Sequence, residues 1–305
     1  MSIRHATLRQ LEIFDTLAVH MSITRTADAL HLSPPAVSIQ VRQLAEAVGQ
    51  PLIEQVGKKL YFTDAGNAMA LACRDLFERM ERLTQELAAL QGLEKGSLRL
   101  AIITTAKYFV PRLLGAFSEQ HPDIDVSLFV GNRKAILERL NQNQDDLYIL
   151  GQPPKNLKLT ATPFAPNQLV AVAYPGHPLA KQSAIPPARL GSEPFISREL
   201  GSGTRRAYED FFRQHKTELR IRMELGSDEA IKQTVAGRLG ITILSKSTVQ
   251  AELISGDLVL LDVQGLPLER QWYVVYPEQK SLAPVTKAFQ AFLISQHGNA
   301  TTPSS

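Results

Sequence analysis

Hydrophobic positions recur along this chain with a period that changes from region to region. Leu8, Leu11, Phe14 and Leu17 recur every three residues, the mark of one helix face. His20-Met21-Ser22 interrupts the pattern, and Ser22 suits the N-cap of a second helix with Ile23, Ala27 and Leu30 inward. After the turn at His31-Leu32-Ser33, Ser33 can cap a third helix. Pro34 then falls at its first position, where a missing N–H is not felt. Val37, Val41, Leu44 and Val48 form the inward stripe, and Gly49 ends the helix. Pro51-Leu52-Ile53, Gly57-Lys58-Lys59 and Leu60-Tyr61-Phe62-Thr63 read as a small hairpin.

From Asp64 to Gln91 the spacing alternates between three and four: Met69, Ala72, Leu76, Met80, Leu83, Leu87, Leu90. That is the seam of a coiled coil, which predicts a dimerisation helix; the other reading is a helix packed on its own domain. Beyond a short linker, Gly92 to Gly96, apolar strands alternate with amphipathic helices. Strands are predicted at 98–104, 125–130, 146–150, 169–174, 220–225, 241–244 and 272–276. Helices are predicted at 108–120, 133–142, 204–215, 228–236 and 283–295. The texture is α/β with parallel sheets. The segment after Gln296 is small and polar and reads as a disordered tail.

Composition narrows this picture only a little. A chain of 305 residues has room for two or three domains, and 44% hydrophobic with 21% charged residues is ordinary for a globular protein. A net charge of +3 does not by itself argue for nucleic acid. One cysteine, Cys73, allows no intrachain disulfide and suits a reducing cytoplasm, and no apolar run is long enough for a bilayer.

Two groups of residues carry chemistry. On the third helix, Pro35, Ser38, Ile39 and Arg42 share a face away from the inward stripe. Two helices joined by a tight turn, the second with an exposed start, form a helix-turn-helix plan whose second helix enters the major groove. Arg42 suits guanine or phosphate, Ser38 either, and Ile39 a thymine methyl. The expected DNA-facing set is Ser22, Arg25, Ser33, Pro34, Pro35, Ser38, Ile39 and Arg42, with Lys58 and Lys59 as a wing tip on the backbone. A three-helix bundle with one stray surface isoleucine fits the same spacing.

The second group surrounds a predicted cleft. Ser197 to Arg205, SRELGSGTR, precedes a helix; its glycines and the helix start can turn N–H groups toward an anion. Thr104-Thr105-Ala106, Asn132-Arg133 and Gln152 follow strand ends, where ligands of open parallel sheets sit. The expected ligand set is Thr104, Thr105, Ala106, Asn132, Arg133, Gln152, Ser197, Ser202, Gly203, Thr204 and Arg205. Ordinary helix capping and a solvent-facing glycine turn account for the same residues. For an enzyme, the chain lacks a G-x-S-x-G elbow, a metal-ligand cluster and a paired-carboxylate motif, so a non-enzyme is expected.

LRQLEIF, ADALHLS, PAVS followed by QVRQL, and the closing FTDAG resemble the winged helix-turn-helix of LysR-type transcriptional regulators, and the resemblance runs over nearly the whole chain. The family usually has glutamine where this chain has Pro34 and phenylalanine where it has Ile53. LRLAIITTAKYFVPRLLGAF, NRKAILERLNQNQDDLYILGQPP and LGSGTRRAYEDFF are similar to the CbbR group, regulators of RuBisCO (Calvin-cycle, carbon dioxide fixation) operons.

The resemblance implies an α/β chain with a winged helix-turn-helix at 1–63, a linker helix at 64–96 and an effector module at 97–295, then the tail at 296–305. The module would hold two Rossmann-like subdomains of the periplasmic-binding-protein type. The first is 97–166 plus 270–295 and the second 167–269, linked by crossing strands near 164–173 and 268–275. It also implies a cytoplasmic homodimer or homotetramer on an interrupted inverted repeat of double-stranded DNA, with RNA polymerase as a further partner. No cofactor is implied. The effector would be a small anionic metabolite such as ribulose 1,5-bisphosphate, NADPH or phosphoenolpyruvate. The dimer seam would use Met69, Leu76, Met80, Leu83, Leu87 and Leu90. A small-molecule binding protein without DNA activity is the other class open to the sequence.

Overall fold

The computed structural model describes residues 5–57, 59–90 and 96–299, and the backbone alone at 85, 86, 88–90 and 297–299. Contacts divide the chain into an N-terminal unit, residues 1–91 with 142–144, and a second unit, residues 92–141 with 145–305.

The N-terminal unit contains α1 (Leu8–His20), α2 (Ile23–Leu30), α3 (Pro34–Val48), β1 (Ile53–Val56), β2 (Lys59–Phe62) and α4 (Asp64–Leu90). Capping fixes each helix start. Thr7 and Gln10 form a reciprocal capping box on α1. Ser22 Oγ accepts from Arg25 N and Ser33 Oγ from Ala36 N, each at 3.4 Å. Gly49 ends α3 in the left-handed region at φ 81°.

Phe14, Leu17, Ala27, Val37, Val41 and Leu44 make the core as their spacing predicts. Ile13 joins them, whereas Leu8 is exposed. Strands β1 and β2 pair antiparallel from Ile53↔Phe62 to Val56↔Lys59. At the start of α4, Gly66 sits so close to Leu52 that a Cβ there would lie 1.9 Å from its carbonyl oxygen.

The seam on α4 needs a correction at its start. Met69 and Cys73 are buried in the N-terminal core, so Met69 packs on its own domain and is not free to face a partner. Leu76, Met80, Leu83 and Leu87 are exposed. The Leu90 side chain and the linker at 92–95 lie outside the described residues.

The second unit runs β3 (Gly96–Ile103), α5 (Val110–Gln120), β4 (Ile124–Gly131), α6 (Arg133–Asn141), β5 (Leu147–Leu150), β6 (Leu159–Ala173), α7 (Pro187–Gly191) and β7 (Phe195–Arg198). It continues with α8 (Gly203–Gln214), β8 (Ile221–Leu225), α9 (Asp228–Ala236), β9 (Thr242–Ser245), α10 (Gln250–Ser255), β10 (Val259–Leu260), β11 (Leu268–Pro277) and α11 (Pro284–Asn299). A seven-stranded sheet has the order β10-β6-β11-β5-β3-β4, with β9 also paired to β6, and β7 pairs with β8 separately.

The sheet is mixed rather than parallel. β3 is parallel to β4 and β5, but β11 is antiparallel to both β5 and β6. The expected short strand at 169–174 is the end of the long strand β6. Pro163 and Pro166 lie inside β6 and hide it, because proline removes ladder donors and argues against a continuous strand. β6 and β11 pair from Leu159↔Pro277 to Leu169↔Leu268, with a register shift at Trp272/Tyr273. The expected helix at 108–120 is a 3-10 turn, Thr104–Tyr108, followed by α5. α11 carries the chain to Asn299, past the expected start of the tail, and residues 300–305 lie outside the described residues.

Apolar side chains collect on both sides of the β6/β11 crossing. One core joins Leu98–Ile103, Phe117, Leu147–Leu150, Trp272 and Phe289. Two smaller clusters gather residues between Leu169 and Val263, among them Phe195, Tyr208, Phe212, Ile231 and Leu244. Full burial of a large apolar side chain of this kind stabilises by about 1.5–3 kcal/mol.

Candidate DNA-reading face and anion cleft

The α3 capping and packing described above dictate one surface. With Val37, Val41 and Leu44 committed to the core, the opposite side presents Ser33, Pro34, Pro35, Ile39 and Arg42, all exposed, with Ser38 half-buried beside them. Ile39 is 50% exposed, a large apolar side chain left in water with no intramolecular packing to explain it. Ser22 and Arg25 belong to the start of α2; Arg25 is exposed, and the Ser22 hydroxyl is engaged as a cap. Lys59 is exposed at the hairpin, and Lys58 lies outside the described residues.

In the second unit, β3, β4 and β5 run parallel, so their carboxyl ends share one edge. The segments that follow bring Thr105, Arg133, Gly151 and Gln152 together. α8 supplies Gly203, Thr204 and Arg206 from its first turn, and the crossing strands supply Asn167 and Arg270, which are register partners. These residues line a cavity of about 540 Å³. The starts of α6 and α8 meet there: a Cβ on Gly203 would lie 3.7 Å from Arg133 Cδ. Both helices therefore direct N-terminal N–H groups toward the same space.

The cavity is cationic. Arg133, Lys155, Arg206 and Arg270 line it against one carboxylate, Asp210, which pairs with Arg213 at 2.7 Å. Among the described residues no carboxylate forms an ion pair with Arg133, Arg206 or Arg270. Burial pushes the Arg133 pKa down, and the charges of Arg206 and Arg270 push it further the same way. Burial also lowers that of Arg270, against the opposing pull of Asp210. All three remain charged, because a guanidinium does not lose its proton in proteins. Asn167 adds a donor: its Oδ1 accepts from Ser245 Oγ at 2.9 Å.

Residues 8–67 match the bacterial regulatory helix-turn-helix protein, lysR family, and residues 91–298 match the LysR substrate binding domain. The chain belongs to the LysR family. It is 60% identical to the RuBisCO operon transcriptional regulator of Acidithiobacillus ferrooxidans over 97% of this chain and 96% of the relative. It is 48% identical to the HTH-type transcriptional activator CmpR of Synechocystis sp., covering 96% of each. Among solved structures, the Synechocystis CcmR regulatory domain in complex with 2-PG is 47% identical, with a TM-score of 0.65. It covers 67% of this chain and 99% of that one.

In this LysR-type regulator the expected ligand residues divide. Thr105, Arg133, Gln152, Gly203 and Thr204 line the cavity. Arg205 does not. It is turned to Glu209 at 2.7 Å, Glu224 at 2.5 Å and the Arg198 carbonyl at 2.9 Å, because it precedes Arg206 by one residue and so points about 100° away from it around the helix. Ser197 is buried against the Tyr208 hydroxyl at 2.6 Å, and Ala106 is buried in the core. Asn132 caps α6 by accepting from Ala135 N, Ser202 caps α8, and Thr104 accepts from Arg198. None of these lines that cavity, although Ser202 and Arg205 line a neighbouring one of about 480 Å³.

Arg206, which stands beside Arg205 in the sequence as an added donor and charge, also lines the cavity, as do Arg270, Lys155 and Asn167, which the sequence does not single out. Arg206 was visible as one of two adjacent arginines, and only the helical phase separates it from Arg205. Nothing local marks Arg270 or Asn167, since their place depends on the pairing of distant strands. No helix of the described residues is long and apolar enough to cross a membrane.

Proposed function

We propose that this LysR-type regulator controls RuBisCO (carbon dioxide fixation) genes by binding a small phosphorylated anion in the cavity between its crossing strands and the start of α8. The observation that carries the reading is the convergence of Arg133, Arg206 and Arg270 on one cavity with no carboxylate paired to any of them among the described residues. Three guanidiniums against one lining carboxylate, beside two helix starts, favour a ligand with several negative charges. The relative bound to 2-PG supports 2-phosphoglycolate as one such ligand, and ribulose 1,5-bisphosphate and NADPH carry the same chemistry.

In this reading the chain is a cytoplasmic binding protein, not an enzyme. α4 joins two copies through Leu76, Met80, Leu83 and Leu87, and further association gives a tetramer. The paired α3 helices then read an interrupted inverted repeat. Ser33 and the start of α3 meet phosphate, while Ser38, Ile39 and Arg42 meet base edges. The anion acts by its differential affinity for two arrangements of the effector domain, which alters how the dimer sits on DNA and meets RNA polymerase. The similarity to CmpR and CcmR supports a second target, another carbon-metabolism operon answering to the same anion class.

Footprinting on the RuBisCO promoter of the source organism, with and without 2-phosphoglycolate and ribulose 1,5-bisphosphate, tests the reading. Protection of an inverted repeat that shifts with the anion is expected. Absence of sequence-specific protection at modest salt would end it.

A further inference from the structure

We infer that Gln152 is the positioning residue of the anion cavity: one uncharged side chain and its own carbonyl align two guanidiniums while adding no negative charge to them. The inference rests on reading the cavity as the effector site.

Two oxygens of Gln152 do the aligning. Its backbone carbonyl accepts from Arg133 Nη1 at the start of α6, and its Oε1 accepts from Arg270 Nη2 on β11. The residue before it is held against the sheet: a Cβ on Gly151 would lie 3.1 Å from Asn167 Nδ2. The Gln152 carbonyl therefore leaves a fixed strand end.

Other arginines of the same unit are aligned by carboxylates. Arg198 has Asp228 and Glu199, Arg205 has Glu209 and Glu224, Arg139 has Asp145, and Arg99 has Asp146. A carboxylate partner aligns a guanidinium and cancels its charge together. An amide or peptide oxygen aligns it and cancels nothing. Each guanidinium has five N–H donors, so donors remain for a ligand after the bond to Gln152. The like charges this leaves side by side are a cost in the empty cavity and an attraction for an anion.

Two substitutions of nearly equal length separate charge from shape. Gln152→Glu keeps an acceptor for Arg270 and adds a negative charge. Gln152→Met removes the side-chain acceptor and adds no charge. In the ligand-free full-length protein, Gln152→Glu is expected to raise the melting temperature by about 2–4 °C through relief of repulsion, and Gln152→Met is expected not to raise it. Titration calorimetry with 2-phosphoglycolate should show Gln152→Glu weakened at least tenfold, with a shallower salt dependence. Gln152→Met should be weakened only a few-fold with the salt dependence kept.

A melting temperature for Gln152→Glu no higher than wild type, or equal weakening of both variants with an unchanged salt slope, overturns the inference. Wild type that binds neither 2-phosphoglycolate, ribulose 1,5-bisphosphate nor inorganic phosphate overturns the effector reading instead. The ligand-free melting comparison judges the role of Gln152 in that case too.

Discussion

Arg198 Nη2 donates to Thr104 Oγ1 at 3.2 Å, and this bond spans the crossing of β6 and β11. Thr104 belongs to the turn after β3, whereas Arg198 ends β7. The Arg198 side chain is 1% exposed and also pairs with Asp228, itself fully buried, and with Glu199 at 2.8 Å. A buried guanidinium thus ties the two halves of the effector domain beside the cavity.

Arg198→Leu should therefore unfold the effector domain early. It leaves Asp228 buried without its partner, which costs about 3–5 kcal/mol. Adding Asp228→Asn should recover part of the loss, since the orphaned charge goes with it. Urea unfolding of the two variants and wild type checks both steps; a loss under about 1 kcal/mol for Arg198→Leu would contradict the tie.

Adjacent arginines on α8 should behave oppositely. Arg206→Ala is expected to weaken 2-phosphoglycolate binding by at least tenfold, because it removes a cavity charge that has no carboxylate ion pair among the described residues. Arg205→Ala should change affinity less than threefold, because Arg205 is spent on Glu209 and Glu224. Calorimetric titration of the two proteins decides it, and a larger effect at Arg205 would place the ligand elsewhere.

The contrast shows what the sequence made legible. Helix-turn-helix capping is local chemistry, so Ser22, Ser33, Pro34 and Gly49 could be placed from their neighbours alone. The strand ends that carry Thr105, Arg133 and Gln152 followed from the alternation of strands and helices. The phase of α8 decides between Arg205 and Arg206, and it depends on which face packs against Phe195 and Ile241. Arg270 and Asn167 meet only because β6 and β11 pair antiparallel across about a hundred residues of intervening chain, a fact of topology. Met69 was misplaced for a related reason: heptad spacing does not say where the helix leaves its own domain.

On α3, Arg42→Ala should weaken specific DNA binding by about 1–3 kcal/mol if its guanidinium reaches a base edge. Ile39→Ser should relax discrimination at a thymine while leaving non-specific binding nearly unchanged, since it removes an apolar contact and no charge. Gel-shift titrations against the operator and single-base variants check both. Equal loss on every sequence would make Arg42 a phosphate contact.

Leu83→Glu should dissociate the proposed dimer. Leu76, Met80, Leu83 and Leu87 follow one another at intervals of four, three and four, and all four are exposed on α4. Such a stripe is the surface that the proposed dimer would cover. A glutamate in the middle of the stripe would have to be buried unpaired against a second copy, which costs several kcal/mol. Met69→Ala should act differently. Met69 lies in the N-terminal core beside Cys73, so its truncation should lower stability by about 2–5 kcal/mol and leave the association constant unchanged at temperatures where the protein stays folded. Sedimentation velocity over a concentration series, paired with thermal unfolding of each variant, separates the two effects. A dimer that survives Leu83→Glu would move the interface off this helix.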